Sequence, residues 1–210
     1  MIVLSATMTR SLLPVMALLL IAGCATQPPV IDSDADANWV TRRSELAKIR
    51  HWQLEGRISI VVDNDAWSAS LQWDQQDVAY VLRVIAPLAQ GTVELQGTGE
   101  GKVSLRVDNE REVHADNPED LLQETLGWSV PVTGMAWWIR GLPDPGIRLD
   151  DLQLDEAGRV LEMRQEGWHI IYTRYHQLKE LELPGRIRMV NGNLRLRIAI
   201  RDWQLPVAGS

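Results

Sequence analysis

The strongest constraint on the fold is an alternation of apolar and polar side chains with a period of two residues. In its clearest stretch the apolar residues Leu194, Leu196, Ile198 and Ile200 alternate with Arg195, Arg197, Ala199 and Arg201. Successive side chains of a β-strand point to opposite faces of the sheet, so this strand has one dry face and one wet face. The alternation predicts a strand in the wall of a sheet that is buried on one side only.

Further segments of this kind, separated by turn sequences, occupy both halves of the chain. Strands are predicted at 58–62, 67–73, 81–85, 93–95, 103–107, 152–154, 160–165, 168–175, 187–189 and 194–201. Short strands at this spacing favour an antiparallel meander that forms a sandwich or a barrel.

Helical signals interrupt the strands. Residues 39–49 form a predicted first helix, with Trp39, Leu46 and Ile49 on one side. In the centre, Asn117 and Pro118 are typical of a helix start, and Gly127 is typical of its end. A third helix is predicted at 132–140. This order predicts a mainly β (α+β) protein: a curved sheet with helices at one side or mouth.

The N-terminal segment has the layout of a secretory signal. An apolar run at 12–21 follows Arg10 and precedes the small pair at 22–23, and it is too short for an ordinary membrane span. We therefore expect residues 1–23 to be a signal peptide. Ile21–Ala22–Gly23–Cys24 resembles the lipobox of bacterial lipoproteins, in which the cysteine is acylated.

Cys24 supports this interpretation because it is the only cysteine of the chain. A lone thiol cannot form an internal disulfide in an oxidising compartment, whereas acylation would consume it. Ala25 and Thr26, rather than aspartate, follow it, which implies the outer membrane. Residues 24–38 contain prolines and acids and are predicted to form a flexible tether. Residues 39–205 then form a single domain.

Charge and motifs exclude several functions. The chain carries 21 Lys+Arg against 28 Asp+Glu, a formal net charge of −7. This balance argues against nucleic acid and against adhesion to anionic lipid by a basic patch. The glycine-rich segment 97–103 lacks the residues of a phosphate loop, and 63–65 lacks those of a calcium loop.

Catalytic signatures are also lacking. The four histidines show no metal-ligand spacing, and no nucleophile elbow is present. We expect no enzyme activity, no cofactor and no metal.

The aromatic composition is unusual, with nine Trp, three Tyr and no Phe. Most of these tryptophans are expected in the core. Some could instead line a concavity for an apolar or saccharide ligand, which leaves a Trp-rich glycan-binding or cell-wall-binding lipoprotein as the alternative function. A purely structural lipoprotein is a further possibility.

Five segments carry a resemblance to a known family. They are Trp52–Arg57, Ala86–Gly91, Trp138–Pro143, Leu183–Ile187 and the closing stretch Leu194–Trp203. In this order and spacing, together with the lipobox, they resemble LolB, the family of outer-membrane lipoprotein receptors.

This resemblance implies an incomplete antiparallel β-barrel with a helical lid over an apolar cavity. It also implies a function: lipoproteins are received from a periplasmic carrier similar to LolA and placed in the outer membrane. The expected partners are that carrier, client lipoproteins through their acyl chains, and the membrane itself. We expect a lipid-anchored monomer on the outer membrane, facing the periplasm.

Three residues are candidates for the site. Trp137 and Trp138 are expected in the lid or cavity. Leu88 lies at a turn where a polar residue is usual, so it either folds back to cap the barrel or projects outward to touch the bilayer. The resemblance favours the second position, as a membrane-insertion loop.

The predicted separation of anchor and domain can be tested with Cys24→Ala. Because the tether lies between them, the variant should be a soluble periplasmic protein that still accepts lipoprotein from the carrier. Transfer is measured by incubating the variant with loaded carrier and isolating the complex. A soluble variant that accepts no cargo would show that anchor and receptor are not separable.

Overall fold

The structure, a computed structural model, describes residues 33–87, 91–108 and 112–206. Cys24 and Leu88 lie outside these residues, as do the predicted signal peptide and residues 24–32 of the tether. No helix in the described ranges is long and apolar enough to cross a membrane.

Eleven strands and three helices make up the described part of the chain. In chain order they are α1 (Ser33–Ala47), β1 (His51–Val62), β2 (Asp65–Gln76), β3 (Ala79–Ile85), β4 (Thr92–Gly97), β5 (Val103–Val107), β6 (Val113–Ala115), α2 (Pro118–Leu126), α3 (Val132–Trp138), β7 (Leu149–Leu154), β8 (Val160–Gln165), β9 (Trp168–Leu178), β10 (Leu181–Asn191) and β11 (Leu194–Gln204).

All strands belong to one antiparallel sheet with the order β6-β5-β4-β3-β2-β1-β11-β10-β9-β8-β7. The first and last strands pair in the middle of this sheet, while β6 and β7 remain at its edges. The chain between the two edge strands forms α2 and α3. The prediction of a mainly β protein with an incomplete antiparallel barrel and few helices is confirmed.

Gly56 makes the central pairing possible. The register of β1 against β11 shifts between Glu55 and Gly56, and a Cβ atom on Gly56 would lie 2.3 Å from the carbonyl oxygen of Ala199. Any side chain here would separate the two strands. The glycine of the Trp52–Arg57 segment therefore marks a β-bulge where two backbones approach closely.

Two helices differ from the prediction. The first begins at Ser33 rather than Trp39, so the expected tether is wrong for its last residues. Asp34 and Asp36 lie in the first turn, where their negative charge interacts favourably with the positive end of the helix dipole. Ala35 of the same turn is buried. The third helix ends at Trp138 rather than Arg140, and Gly141 then takes a φ of 80° that ends the helical path.

Strand β10 is much longer than the predicted 187–189. It begins at Leu181 and contains Pro184, which has no amide proton for a ladder hydrogen bond and obscures the strand signal. The register against β9 shifts on both sides of Arg186, so the strand continues past the proline through a bulge. Helix α2 has the predicted ends: the Asn117 side chain accepts from the amides of Glu119 and Asp120, and Gly127 has a φ of 80°.

The tryptophans form much of the core. Trp52 packs against both Trp73 and Trp203, with ring centroids 5.3 and 5.5 Å apart. Two of these indole nitrogens donate to partners inside the protein: Trp73 donates to Gln75, and Trp203 donates to the carbonyl of Pro184. These three residues fill one end of the barrel.

The fully buried side chain of Gln165 connects the helical insert to the sheet. Its Oε1 accepts from the Trp138 indole at 2.7 Å and from the amide of Asp144 at 2.9 Å. Its Nε2 donates to the carbonyls of Asp144 and Ile147, both at 2.8 Å. All four hydrogen-bonding positions of the amide are occupied, so this residue holds the segment after α3 against β8.

Replacing Gln165 should therefore be costly. Gln165→Leu leaves two buried donors and two buried carbonyls without this partner, and we expect the free energy of unfolding to fall by about 3 kcal/mol or more. Urea denaturation followed by tryptophan fluorescence measures the loss. Gln72→Leu is the control, because that side chain is exposed on β2. Equal stability of the two variants would contradict the structural role of Gln165.

Candidate functional site

A wholly apolar cavity lies inside the barrel, with a volume of about 90 Å³. The wall is formed by inward-facing residues of β1, β2, β3, β4 and β11, and the cover by residues of α2, of α3 and of the segment between them. The lining residues are Ile58, Ile60, Leu71, Leu82, Val84, Val93, Leu95, Leu196, Leu122, Leu126, Trp128, Val130 and Met135. Such a cavity offers no hydrogen bond to a ligand and suits only hydrocarbon.

The cover is helical because the sequence specifies α2 locally. Its Asn117 cap and Gly127 end fix the helix, and Leu122 and Leu126 on one face then point toward the sheet. Trp128 and Val130 extend this apolar surface beyond the helix, and Met135 adds the contribution of α3.

A wider groove of about 570 Å³ adjoins the cavity at one end of the barrel. Five residues line both spaces: Ile60, Val84, Val93, Leu126 and Trp128. At the rim, Trp67 is 48% exposed although it is a large aromatic side chain. Since cavity and groove share their walls, this groove is the mouth of the cavity.

The loop between β3 and β4 forms part of this mouth. Ala86, Pro87 and Gly91 line the groove, and the amide of Ala86 donates to the carbonyl of Gly91 at 2.8 Å, which closes the base of the loop. Gly91 has a φ of 144°, and a Cβ atom there would lie 2.7 Å from a carboxylate oxygen of Asp108. The structure describes only the base of the loop, and Leu88 lies outside the described residues.

Trp138 lies in the core, outside the apolar cavity and its mouth. It is 0% exposed, its indole donates to Gln165, and its carbonyl accepts from the Tyr172 hydroxyl at 2.6 Å. Burial raises the pKa of the Tyr172 hydroxyl well above its usual value, so this group remains a hydrogen-bond donor. Trp138 does not line the apolar cavity.

Trp137 faces a second pocket of about 260 Å³, which is lined by both polar and apolar side chains. The guanidinium of Arg140 lies over its ring, 4.6 Å from the centroid. The same guanidinium donates to the carbonyls of Ile49 at 2.6 Å and Ala136 at 3.0 Å, so it ties the end of α1 to α3. Burial lowers the pKa of Arg140 to about 10, and the group is still cationic at neutral pH. A buried cation makes this pocket unsuitable for hydrocarbon.

Trp137 and Trp138, expected in the lid or the cavity, both belong to α3, part of the cover, but a different tryptophan lines the cavity. Trp128 lines both the cavity and its mouth, whereas Trp137 and Trp138 line neither. Trp128 follows Gly127, outside the apolar repeat of α2, so helical periodicity gave no signal for it. Leu122 and Leu126 could have been inferred, since they belong to the apolar face of that helix.

Polar chemistry is sparse around this site. In the described ranges, no group of three His, Cys, Asp or Glu side chains is arranged to hold a metal ion. Among the described residues that line the mouth, one side chain is charged: Asp108, whose carboxylate accepts from the amide of Thr92 at 2.6 Å and so has a structural role.

The fold and the site define an incomplete antiparallel β-barrel whose apolar cavity is covered by two short helices. Residues 50–203 match the family model described as outer membrane lipoprotein LolB. The chain belongs to this family, and it is an outer-membrane receptor of the lipoprotein localisation pathway.

Relatives of known family support the assignment along nearly the whole chain. An outer-membrane lipoprotein LolB of Nitrosococcus oceani is 39% identical over 191 residues, covering 90% of this chain and 94% of that protein. Its counterpart in Pseudomonas aeruginosa (strain LESB58) is 37% identical over 198 residues, covering 93% and 96%. The predicted lipoprotein nature and outer-membrane location are thereby confirmed.

Among solved structures, the LolA superfamily protein NE2245 of Nitrosomonas europaea superposes with a TM-score of 0.48 at 10% identity. The superposition covers 83% of this chain and 94% of that protein.

Proposed function

We propose that the apolar cavity holds the acyl chains of lipoproteins, which the protein accepts from a periplasmic carrier similar to LolA and releases into the outer membrane. The observation that carries this proposal is the lining, which consists of apolar side chains alone. The anchor is the acylated Cys24, which keeps the receptor on the membrane that receives the cargo.

The cavity must enlarge to take this ligand. Pockets that enclose a small molecule usually measure about 300–1,000 Å³, and this one measures about 90 Å³. The strands of the wall are joined by ladder hydrogen bonds on both sides, whereas the cover packs mainly through apolar side chains. We therefore assign the opening to the cover: Leu122, Leu126 and Trp128 move away from the wall, with Met135 of α3.

Apolar burial provides the driving force. Each buried CH₂ group is worth about 0.8 kcal/mol, so an acyl chain crosses water only when a protein encloses it. Transfer runs forward if this receptor binds the chains more tightly than the carrier does, and tenfold tighter binding requires only about 1.4 kcal/mol. Binding and release of this kind need no catalytic group, and we propose no enzymatic activity.

The alternative, a glycan-binding lipoprotein, is less well supported. Saccharide recognition by tryptophan needs exposed indole faces, but Trp39, Trp52, Trp73, Trp138, Trp168 and Trp203 are all buried in the core. The mouth offers only Trp67 and Trp128, and most of the groove beside them is aliphatic. Hydrocarbon is the better complement to this surface.

Trp128 provides the test of acyl binding. A pyrene-labelled acyl probe should bind with a change in tryptophan emission, and cargo lipoprotein should displace it. The emission change should be largely lost in Trp128→Phe, because this indole contacts the cavity. Trp137→Phe is the matched control and should retain it, because this ring faces the second pocket and lines neither the cavity nor its mouth.

Probe fluorescence measures binding independently of the protein signal. Binding with the same emission change in both variants would place the probe away from the cavity. Competition by soluble cell-wall fragments, with no competition by cargo lipoprotein, would support the glycan-binding alternative.

We further propose that Leu88 projects from the β3–β4 loop into the bilayer when cargo is delivered. The base of this loop lies at the mouth, beside the apolar groove and the exposed Trp67. Leu88→Glu should therefore fold and accept cargo normally but fail to insert it into liposomes, because a charge resists entry into the apolar layer. Val78→Glu is the control: Val78 is 65% exposed, but it lies at the β2–β3 turn, at the other end of these strands.

Insertion is followed as the transfer of labelled lipoprotein to sedimenting vesicles. A Leu88→Glu protein that unfolds, or that already fails to accept cargo, would favour the account in which Leu88 caps the barrel. Normal insertion would exclude the membrane role.

A further inference from the structure

Five arginines form a continuous patch on the outer surface of the sheet, on the side opposite the cavity. They come from three neighbouring strands, β1, β11 and β10, and are exposed because each alternates with buried core residues. This basic face consists of Arg57, Arg186, Arg188, Arg195 and Arg197.

The register brings these cations close together. Arg188 lies directly opposite Arg197 on the neighbouring strand, and Ala199 lies between Arg57 on one side and Arg186 on the other. Like charges directly opposite each other destabilise a sheet. Repulsion between these arginines therefore lowers the stability of the folded sheet. A role other than folding is needed to explain why they are there.

The basic face also lacks the carboxylates that accompany other arginines of this surface. Arg106 pairs with Glu94 at 2.8 Å, and Arg201 pairs with Glu55. Among the described residues, no Asp or Glu oxygen lies within 4.0 Å of a guanidinium nitrogen of the basic face. In a chain with 28 acidic residues, this leaves one strongly positive surface without internal neutralisation.

Small polar side chains leave space between these guanidinium groups. A shallow groove of about 370 Å³ is lined by Arg57, Arg186, Arg188 and Arg197 together with Ser59, Ser68, Thr173 and Ala199. Arginine has a planar fork of donors that matches phosphate oxygens, and the hydroxyl groups can add further donors. The groove is chemically complementary to phosphate.

We propose that the basic face binds the phosphate groups of anionic lipids at the surface of the membrane in which the protein is anchored. The anchor keeps a layer of phosphate-bearing headgroups next to the domain at high effective concentration, so individually weak contacts suffice. An acidic protein surface has similar chemistry, but the lipid surface is the one that the anchor keeps permanently in reach.

This contact would orient the receptor. Ser68 lines both the groove of the basic face and the mouth of the apolar cavity, so the two surfaces meet at β2. A domain held to headgroups by its basic face keeps the mouth beside the bilayer. The negative net charge of the chain had argued against a basic patch, but net charge is a sum over the molecule and does not describe its distribution.

The test uses the full secreted chain with Cys24→Ala, so that the anchor does not mask weak binding. We compare its co-sedimentation with phosphatidylcholine vesicles to its co-sedimentation with vesicles that also contain phosphatidylglycerol. We expect binding only to the anionic vesicles, and weaker binding as the salt concentration rises. Arg188→Gln with Arg197→Gln should weaken it about 30-fold, the effect of two cations near the surface.

The control pair is Arg43→Gln with Arg148→Gln, which changes the net charge equally. Arg43 is exposed on α1, and the side chain of Arg148 is 88% exposed near β7, so neither belongs to the basic face. This pair should bind anionic vesicles like the parent. The Arg188/Arg197 variant should unfold at the urea concentration of the parent or above, since its repulsion is relieved. The control variant should unfold close to the parent, since the exposed ion pair of Arg148 with Asp150 that it loses contributes little.

Three outcomes would overturn the proposal. Equal binding by the two double variants would show that only total charge matters. Displacement of vesicle-bound protein by millimolar inorganic phosphate, but not by chloride at equal ionic strength, would indicate a site for free phosphate. Absence of vesicle binding, with acceptance of cargo from the carrier impaired only in the Arg188/Arg197 variant, would indicate an acidic protein partner.

Discussion

The pairing of β1 with β11 is the constraint on which the rest of the structure depends. The first and last strands of the chain meet in the middle of the sheet, and β6 and β7 remain as its two separate edges. The sheet therefore curves without closing, and the connection between its edges has to cover the interior. The bulge at Gly56 permits this pairing, because no side chain fits between that residue and Ala199. An apolar interior under a helical cover is the direct consequence.

The cavity and the solid part of the core differ in how they are filled. At one end, Trp52 packs against both Trp73 and Trp203, and none of the three lines the apolar cavity. Toward the mouth the wall is built of aliphatic residues such as Val84 and Val93, and the cover reaches it with Leu126 and Trp128. Gln165 anchors the end of α3 and the segment after it to β8 by four hydrogen bonds, whereas no hydrogen bond between described side chains joins α2 to the wall. This difference supports the proposed opening of the cover at α2 and the segment after it.

The two faces of the same strands have opposite chemistry. The inner residues of β1 and β11 line an uncharged cavity, and the outer residues of these strands belong to the basic face. A receptor that passes hydrocarbon to a membrane needs both properties, an apolar path for the acyl chain and a polar surface that can rest on headgroups. The alternation of a β-strand provides them within one sheet, because neighbouring residues face opposite sides.

The sequence by itself determined most of the strands, the capped helix α2 and the lipoprotein signal, since each depends on residues close together in the chain. It also indicated the family through five short segments in a fixed order, but it gave no separate signal for the edge strand β6. It did not reveal that α1 starts at Ser33 or that β10 runs through Pro184, because burial of Ala35 and a bulge against β9 override the local signals. Only the tertiary structure placed Trp138 in the core and Trp128 at the cavity. It alone assembled the basic face as well, because strand register sets Arg188 opposite Arg197 and brings Arg57 and Arg186 to the two sides of Ala199. Residues far apart in sequence meet through hydrogen-bonded pairing, and no local pattern records which strands will be neighbours.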